Sequence, residues 1–149
     1  MRLSRTVALA AAAFLAAAPA FAQDISPVGL WKNIDDVSGK PKALIRISEE
    51  RGVLHGKIEK IFVPASQEQN PLCDKCTDAR KNQPVIGMVF MSGLKKDGNE
   101  YTGGEILDPD NGKVYKSKMK LADGGKKLEV RGYVGLPLLG RTQTWLRQE

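Results

Sequence analysis

Three turn signals punctuate the second half of the chain at short, fairly even intervals: Lys96-Asp97-Gly98-Asn99, Asp108-Pro109-Asp110-Asn111-Gly112 and Asp123-Gly124-Gly125. Each carries an Asn-Gly or Asp-Gly step, residues that tolerate the positive φ of tight hairpin turns. The runs between them are rich in β-formers, the pattern of a meandering antiparallel sheet or a small barrel.

Side-chain parity extends this reading. Ala43, Ile45 and Ile47 share one face of a strand over Lys42–Glu49, and Leu44, Arg46 and Ser48 share the other, the period of two of a half-buried strand. After a turn at Glu50-Arg51-Gly52, a strand runs from Val53 to Val63 with Leu54, Gly56 and Ile58 inward. Ile61 and Val63 have the opposite parity, which a bulge near Lys60 accounts for. Tyr115, Ser117, Met119 and Leu121 face away from Lys116, Lys118 and Lys120, and Leu128, Val130, Gly132 and Val134 share a face. Arg141–Arg147 forms the last strand of about eight. Closing this up-and-down meander into an all-β barrel removes its exposed edges.

Two stretches depart from the pattern. Pro64 to Pro84 is long, polar and irregular and holds both cysteines; connections of this length are often functional or covering elements. Val85 to Leu94 is apolar on both faces, with Ile86, Met88 and Phe90 opposite Val85, Val89 and Met91. That implies a strand covered on both sides, by the cysteine loop or by a partner protein.

The first 22 residues read as a cleavable secretory signal. Arg2 and Arg5 precede an apolar run from Val7, and Ala20-Phe21-Ala22 ends at polar Gln23-Asp24. The run is too short, and broken by Pro19, to be a membrane anchor of roughly 20 residues. Cleavage after Ala22 leaves residues 23–149 as one exported, periplasmic or secreted domain, with no cysteine at the cut to carry a lipid. This mature part has 21 basic and 17 acidic residues, a mild +4 once Arg2 and Arg5 are removed. The lysines alternate along strand faces and sit at turns, whereas nucleic-acid binding needs a denser basic patch with interleaved aromatics. An anionic surface such as lipid headgroups stays open as a partner.

Cys73-Asp74-Lys75-Cys76 is the sharpest chemical feature. An oxidising compartment favours a local disulfide. A redox-active pair wants a helix N-terminus in a βαβ setting, and structural zinc needs two further ligands from a chain whose sole histidine is His55. Asp108–Gly112 fails as a calcium loop, because its glycine comes one position early and Met119 stands where the closing carboxylate belongs. No nucleophile elbow, phosphate loop or paired-histidine motif occurs. No cofactor, metal site or catalytic residue is therefore expected.

Trp31 lies in the opening strand, and Trp145 and Arg147 lie in the closing one. First and last strands are neighbours in a closed barrel, so Arg147 is placed to stack over Trp31 and lock the seam. Gly29-Leu30-Trp31 with a terminal-strand arginine resembles the short signature of lipocalins and their calycin relatives.

A second resemblance covers nearly all of residues 23–149. Gly29-Leu30-Trp31, Cys73-x-x-Cys76, Gly104-x-Ile106-x-Asp108-Pro109-x-x-Gly112-Lys113-x-Tyr115, Arg131-Gly132-Tyr133-x-Gly135 and Gly140-Arg141-Thr142-x-x-Trp145 occur in this order. The succession resembles a family of small exported bacterial proteins known as a domain of unknown function, DUF2147. The resemblance implies a secreted barrel and supplies no catalytic residues.

The function expected is binding: of a small apolar or amphipathic molecule in the barrel, or of an envelope partner through the long loop. Parity names Ile45, Ile58, Tyr115, Met119 and Val130 as interior contacts, and Arg131 and Tyr133 as an outer polar site or a strand-end hydrogen-bond network. Gly56, Ser117 and Gly132 leave gaps among bulky inward residues, either as room for a ligand or for close backbone approach. The alternatives are a thiol–disulfide enzyme using Cys73 and Cys76, and a structural envelope protein with a filled barrel.

Overall fold

A computed structural model describes residues 25–149; the export signal read from Met1 to Ala22 lies outside the described residues. Eight antiparallel strands follow one another around a closed barrel: β1 (Gly29–Ile34), β2 (Pro41–Glu50), β3 (Val53–Ile61), β4 (Val89–Asp97), β5 (Glu100–Asp108), β6 (Lys113–Ala122), β7 (Lys127–Tyr133) and β8 (Gly140–Arg147). Every strand pairs with the next, and β8 returns to β1 through Trp31↔Arg147 and Asn33↔Trp145. No sheet edge remains unpaired, which is how a chain of short hairpins escapes edge-to-edge association. The tight turns fall where the Asp-Gly and Asn-Gly steps stand, with Gly98, Gly112 and Gly124 all at positive φ.

Inward parity is as expected on β2, β3, β6 and β7: Ala43, Ile45, Ile47, Leu54, Ile58, Ser117, Met119, Leu128 and Val130 are buried. The bulge in β3 is present. Leu44 pairs with Lys60 and the next residue, Ile45, pairs with Ile58, so Glu59 is the extra residue, one position from Lys60.

Two expectations are corrected. The run Val85–Leu94 is not one strand covered on both faces. Val85 and Met88 belong to the approach, tied down by Gly87 N–H donating to Ile58 O (2.7 Å) and Ile58 N–H donating to Met88 O (3.0 Å), and β4 begins at Val89. Gly56 then pairs with Met91 and Lys57 with Val89. Phe90 is the extra residue of a second bulge, so Phe90 and Met91 are both buried while Val89 is exposed. The doubled apolar pattern records a change of register. The second correction is Val134, which lies beyond the end of β7 and is exposed.

The barrel has two unlike ends. The β2–β3, β4–β5 and β6–β7 turns lie at one end with the segment entering β1 and the residues leaving β8. The other end carries the β1–β2, β5–β6 and β7–β8 connections and the long loop between β3 and β4. That loop holds the Cys73–Cys76 disulfide. An isolated bridge pairs Leu72 with Pro84 across its base, and the loop folds onto the β5–β6 turn, where the backbone of Gly112 lies against the carbonyl of Lys75. A Cβ at Gly112 would collide with that carbonyl, and its φ of 74° is left-handed, so both constraints select glycine.

Candidate functional site

The end carrying the first turns is sealed. Trp31, Trp145, Leu128 and Ile47 are fully buried there or just above it. The guanidinium of Arg147 lies 4.3 Å from the Trp31 ring centroid. It donates from Nε to Gly125 O (2.7 Å), from Nη1 to Val28 O (3.0 Å) and from Nη2 to Ser26 O (2.6 Å). Burial pushes the Arg147 pKa down from its ordinary value; backbone oxygens and a ring face hold the cation. The indole Nε1 of Trp31 donates to Pro27 O (2.8 Å).

Above this floor a cavity of about 940 Å³ opens toward the other end, within the roughly 300–1,000 Å³ of small-molecule pockets. Ile45, Ile58, Tyr115 and Val130, four of the residues singled out by parity, line it, and Tyr133 stands at its rim. Met119 does not reach it; it is buried in the core below. Arg131 does not line it either; it sits in a strand-end network, donating from Nε to Pro137 O (2.6 Å), from Nη1 to Thr142 Oγ1 (2.6 Å) and from Nη2 to Leu138 O (3.3 Å).

The three small inward residues divide. The space beside Gly56 is filled, since a Cβ there would lie 2.9 Å from Met91 Cε. Ser117 is sealed, its Oγ buried without a hydrogen-bond partner. Only Gly132 borders the cavity, with room for a Cβ at ordinary contact from Ile106 (3.5 Å) and Tyr115 (3.7 Å).

Parity alone did not single out Phe90, Ile106, Asn33, Gln143 and Arg141, which also line the cavity. Asn33 and Gln143 form a polar strip inside the barrel. Asn33 Nδ2 donates to Gln143 Oε1 (3.3 Å), as does Trp145 Nε1 (3.4 Å). Their signal was available: each stands two residues from a buried tryptophan and so shares its face. Phe90 stacks on Trp145 at 6.2 Å between centroids, turned inward by the β4 bulge, whose only mark in the sequence is the doubled apolar pattern that reads equally as a strand covered on both faces.

Two of the cations at the mouth, Arg141 and Lys42, are paired. Arg141 donates to Asp36, which holds that carboxyl below its ordinary pKa and raises the Arg141 pKa. Lys42 Nζ lies 2.7 Å from Asp110. Burial opposes the Lys42 charge, but the hydrogen bond and charge of Asp110, with Asp108 and Asp35, raise its pKa on balance. Lys42 belongs to β2 and Asp110 to the β5–β6 turn, strands that are not neighbours, so this pair spans the mouth. Around it Val37, Leu136, Leu138 and Leu139 stand between 65% and 86% exposed.

Cys73 and Cys76 are oxidised to each other and buried. Cys73 N–H donates to Gln83 O and Asn82 N–H to Cys73 O, both 2.8 Å. No helix N-terminus meets either sulfur among the described residues, and no cluster of His, Cys, Asp and Glu among them is arranged to hold a metal ion.

Residues 29–147 match the family described as an uncharacterized protein conserved in bacteria, DUF2147. In structure the chain is similar to protein HP1028 from the human pathogen Helicobacter pylori, described as belonging to the lipocalin family, with a TM-score of 0.71 and 20% identity over 84% of each chain. That likeness is one of fold, a lipocalin-like eight-stranded barrel. No curated protein matches the sequence. The chain belongs to the DUF2147 family.

Proposed function

We propose that this DUF2147 protein is an exported carrier that holds one small apolar or amphipathic molecule in its barrel. The observation that carries the reading is the asymmetry of the barrel: one end is shut by Trp31 and Arg147, while the other opens into about 940 Å³ of space lined by apolar side chains such as Ile45, Ile58, Phe90 and Val130 together with polar ones. A barrel serving only as structure fills its interior with side chains, and here Gly132 keeps part of it clear. The signal-like first 22 residues support export to the periplasm or beyond.

Binding is favoured over catalysis because no serine, threonine, cysteine or histidine is among the residues lining the cavity. The chain's sole histidine, His55, has outward parity on β3. The thiol–disulfide alternative is disfavoured by burial of both sulfurs, since exchange needs a thiolate to reach one of them. The exposed apolar side chains around the mouth favour a second reading, contact with an envelope partner, which is compatible with the first.

Native mass spectrometry of the protein purified from its own compartment, before and after denaturation, tests the carrier reading. A stoichiometric mass lost on denaturation is expected. A single unliganded mass, with no uptake of an apolar fluorophore, would turn the assignment to a structural or partner-binding role.

A further inference from the structure

We infer that the cavity selects an uncharged single-chain amphiphile whose polar end carries a hydroxyl or amide N–H, and discriminates against a carboxylate of the same length. The inference rests on the carrier reading and adds the charge and hydrogen-bonding class of the ligand.

Charge balance is the first ground. Three cations line the cavity, Lys42, Lys75 and Arg141, against four carboxylates, Asp108 and Asp110 among them. Lys42 is engaged by Asp110 and Arg141 by Asp36. An anionic head entering here meets a surplus of negative charge, and to gain Lys42 or Arg141 it displaces a carboxylate from an existing pair, which leaves Lys75 as the one lining cation it reaches without displacement. It also gives up its hydration, which is the larger cost for a charged group.

The second ground is the polar strip. The indole N–H of Trp145 can only donate, so it fixes which end of the Gln143 amide faces it, and the shared Gln143 oxygen then fixes Asn33 with Nδ2 toward Gln143. Asn33 Oδ1 is left as a buried acceptor with no partner. Such a group costs free energy until a donor reaches it. The oxygen is shielded, but the terminal torsion of asparagine is soft, and a hydroxyl or amide N–H at the wall turns the amide toward itself. A carboxylate has no proton to offer. Asn33 pairs with Ala43, one inward step nearer the mouth than the Trp31–Ile45 and Ile45–Ile58 pairs, so the polar contact lies above Ile45 and Ile58, which receive the chain with Phe90.

The test is displacement of an apolar fluorophore by 1-dodecanol, dodecanoate and dodecane, each below its aggregation or solubility limit, at pH 8 where the acid is ionised. Dodecanol is expected to displace at concentrations at least about tenfold below dodecanoate. Replacing the strip with Asn33→Leu and Gln143→Leu is expected to weaken dodecanol about tenfold and leave dodecane unchanged or tighter. Dodecanoate equal to or better than dodecanol in the unmodified protein overturns the inference and leaves the carrier reading standing, and this comparison does not depend on the variant folding. Dodecanol unaffected in a folded double variant overturns it as well. Failure of the fluorophore and all three ligands to bind overturns the carrier reading itself.

Discussion

Arg147 covers the ring of Trp31 at 4.3 Å and ties down the backbone carbonyls of Ser26, Val28 and Gly125, with a longer contact to Glu149 O (3.5 Å). One side chain thereby joins the entering segment, the β6–β7 turn and the closing strand. The contact depends on Gly29, whose φ of 141° and missing side chain leave room for Arg147 Nη1; a Cβ there would lie 3.0 Å from that nitrogen and 2.7 Å from Glu149 O.

Arg147→Ala should cost about 2–4 kcal/mol, the sum of a cation–π contact of about 0.5–2 and of carbonyls left without their donor. Arg147→Lys should recover only part of this, because a compact ammonium cannot both stack and serve three carbonyls. Chemical denaturation midpoints with an unchanged m-value check both, and a loss under about 0.5 kcal/mol for the alanine variant would refute the seam.

Gly132 and Gly56 should respond in opposite senses although both face inward. Gly132→Ala places a methyl at ordinary contact distance and relieves a strand glycine, so stability should hold or rise by about 0.5–1 kcal/mol, and Gly132→Leu should abolish ligand uptake in a folded protein. Gly56→Ala pushes into Met91 and should cost about 1–3 kcal/mol. Thermal unfolding and fluorophore titration of the three variants measure this contrast.

Replacing Cys73 and Cys76 together by serine should destabilise by about 2 kcal/mol on the chain-entropy estimate for so short a closed loop. The eight strands do not depend on the bond, so limited proteolysis should show cuts confined to residues 64–84 while far-ultraviolet dichroism stays native. Global unfolding of the double variant would show that the loop is integral to the barrel.

The Asp78 carboxyl is lowered to about 2, chiefly by its hydrogen bonds with the Arg80 side chain and backbone. A depressed acid supports the fold fully above its unfolded value near 3.8 and loses that support as pH falls toward 2. A carboxyl-detected NMR titration should place the Asp78 midpoint near 2, and Arg80→Ala should return it toward the ordinary range. A midpoint near 3.8 with Arg80 intact would show that the pair is absent in solution.

What the sequence determined by itself is local. Asp-Gly and Asn-Gly steps dictate tight turns because only certain residues accept positive φ, and a period of two assigns Ile45, Ile58 and Val130 to the interior because successive side chains of a strand must alternate. From those two rules alone the eight-strand meander follows, as does the adjacency that brings Arg147 to Trp31. Tertiary structure decided what depends on register and on filling of space. The bulge at Phe90 changes which side chains share a face, Met91 occupies the gap at Gly56 while the one at Gly132 stays open, and Met119 falls below the cavity instead of on its wall. Volume is a property of side chains drawn from several strands at once, and no periodicity within a single strand encodes it.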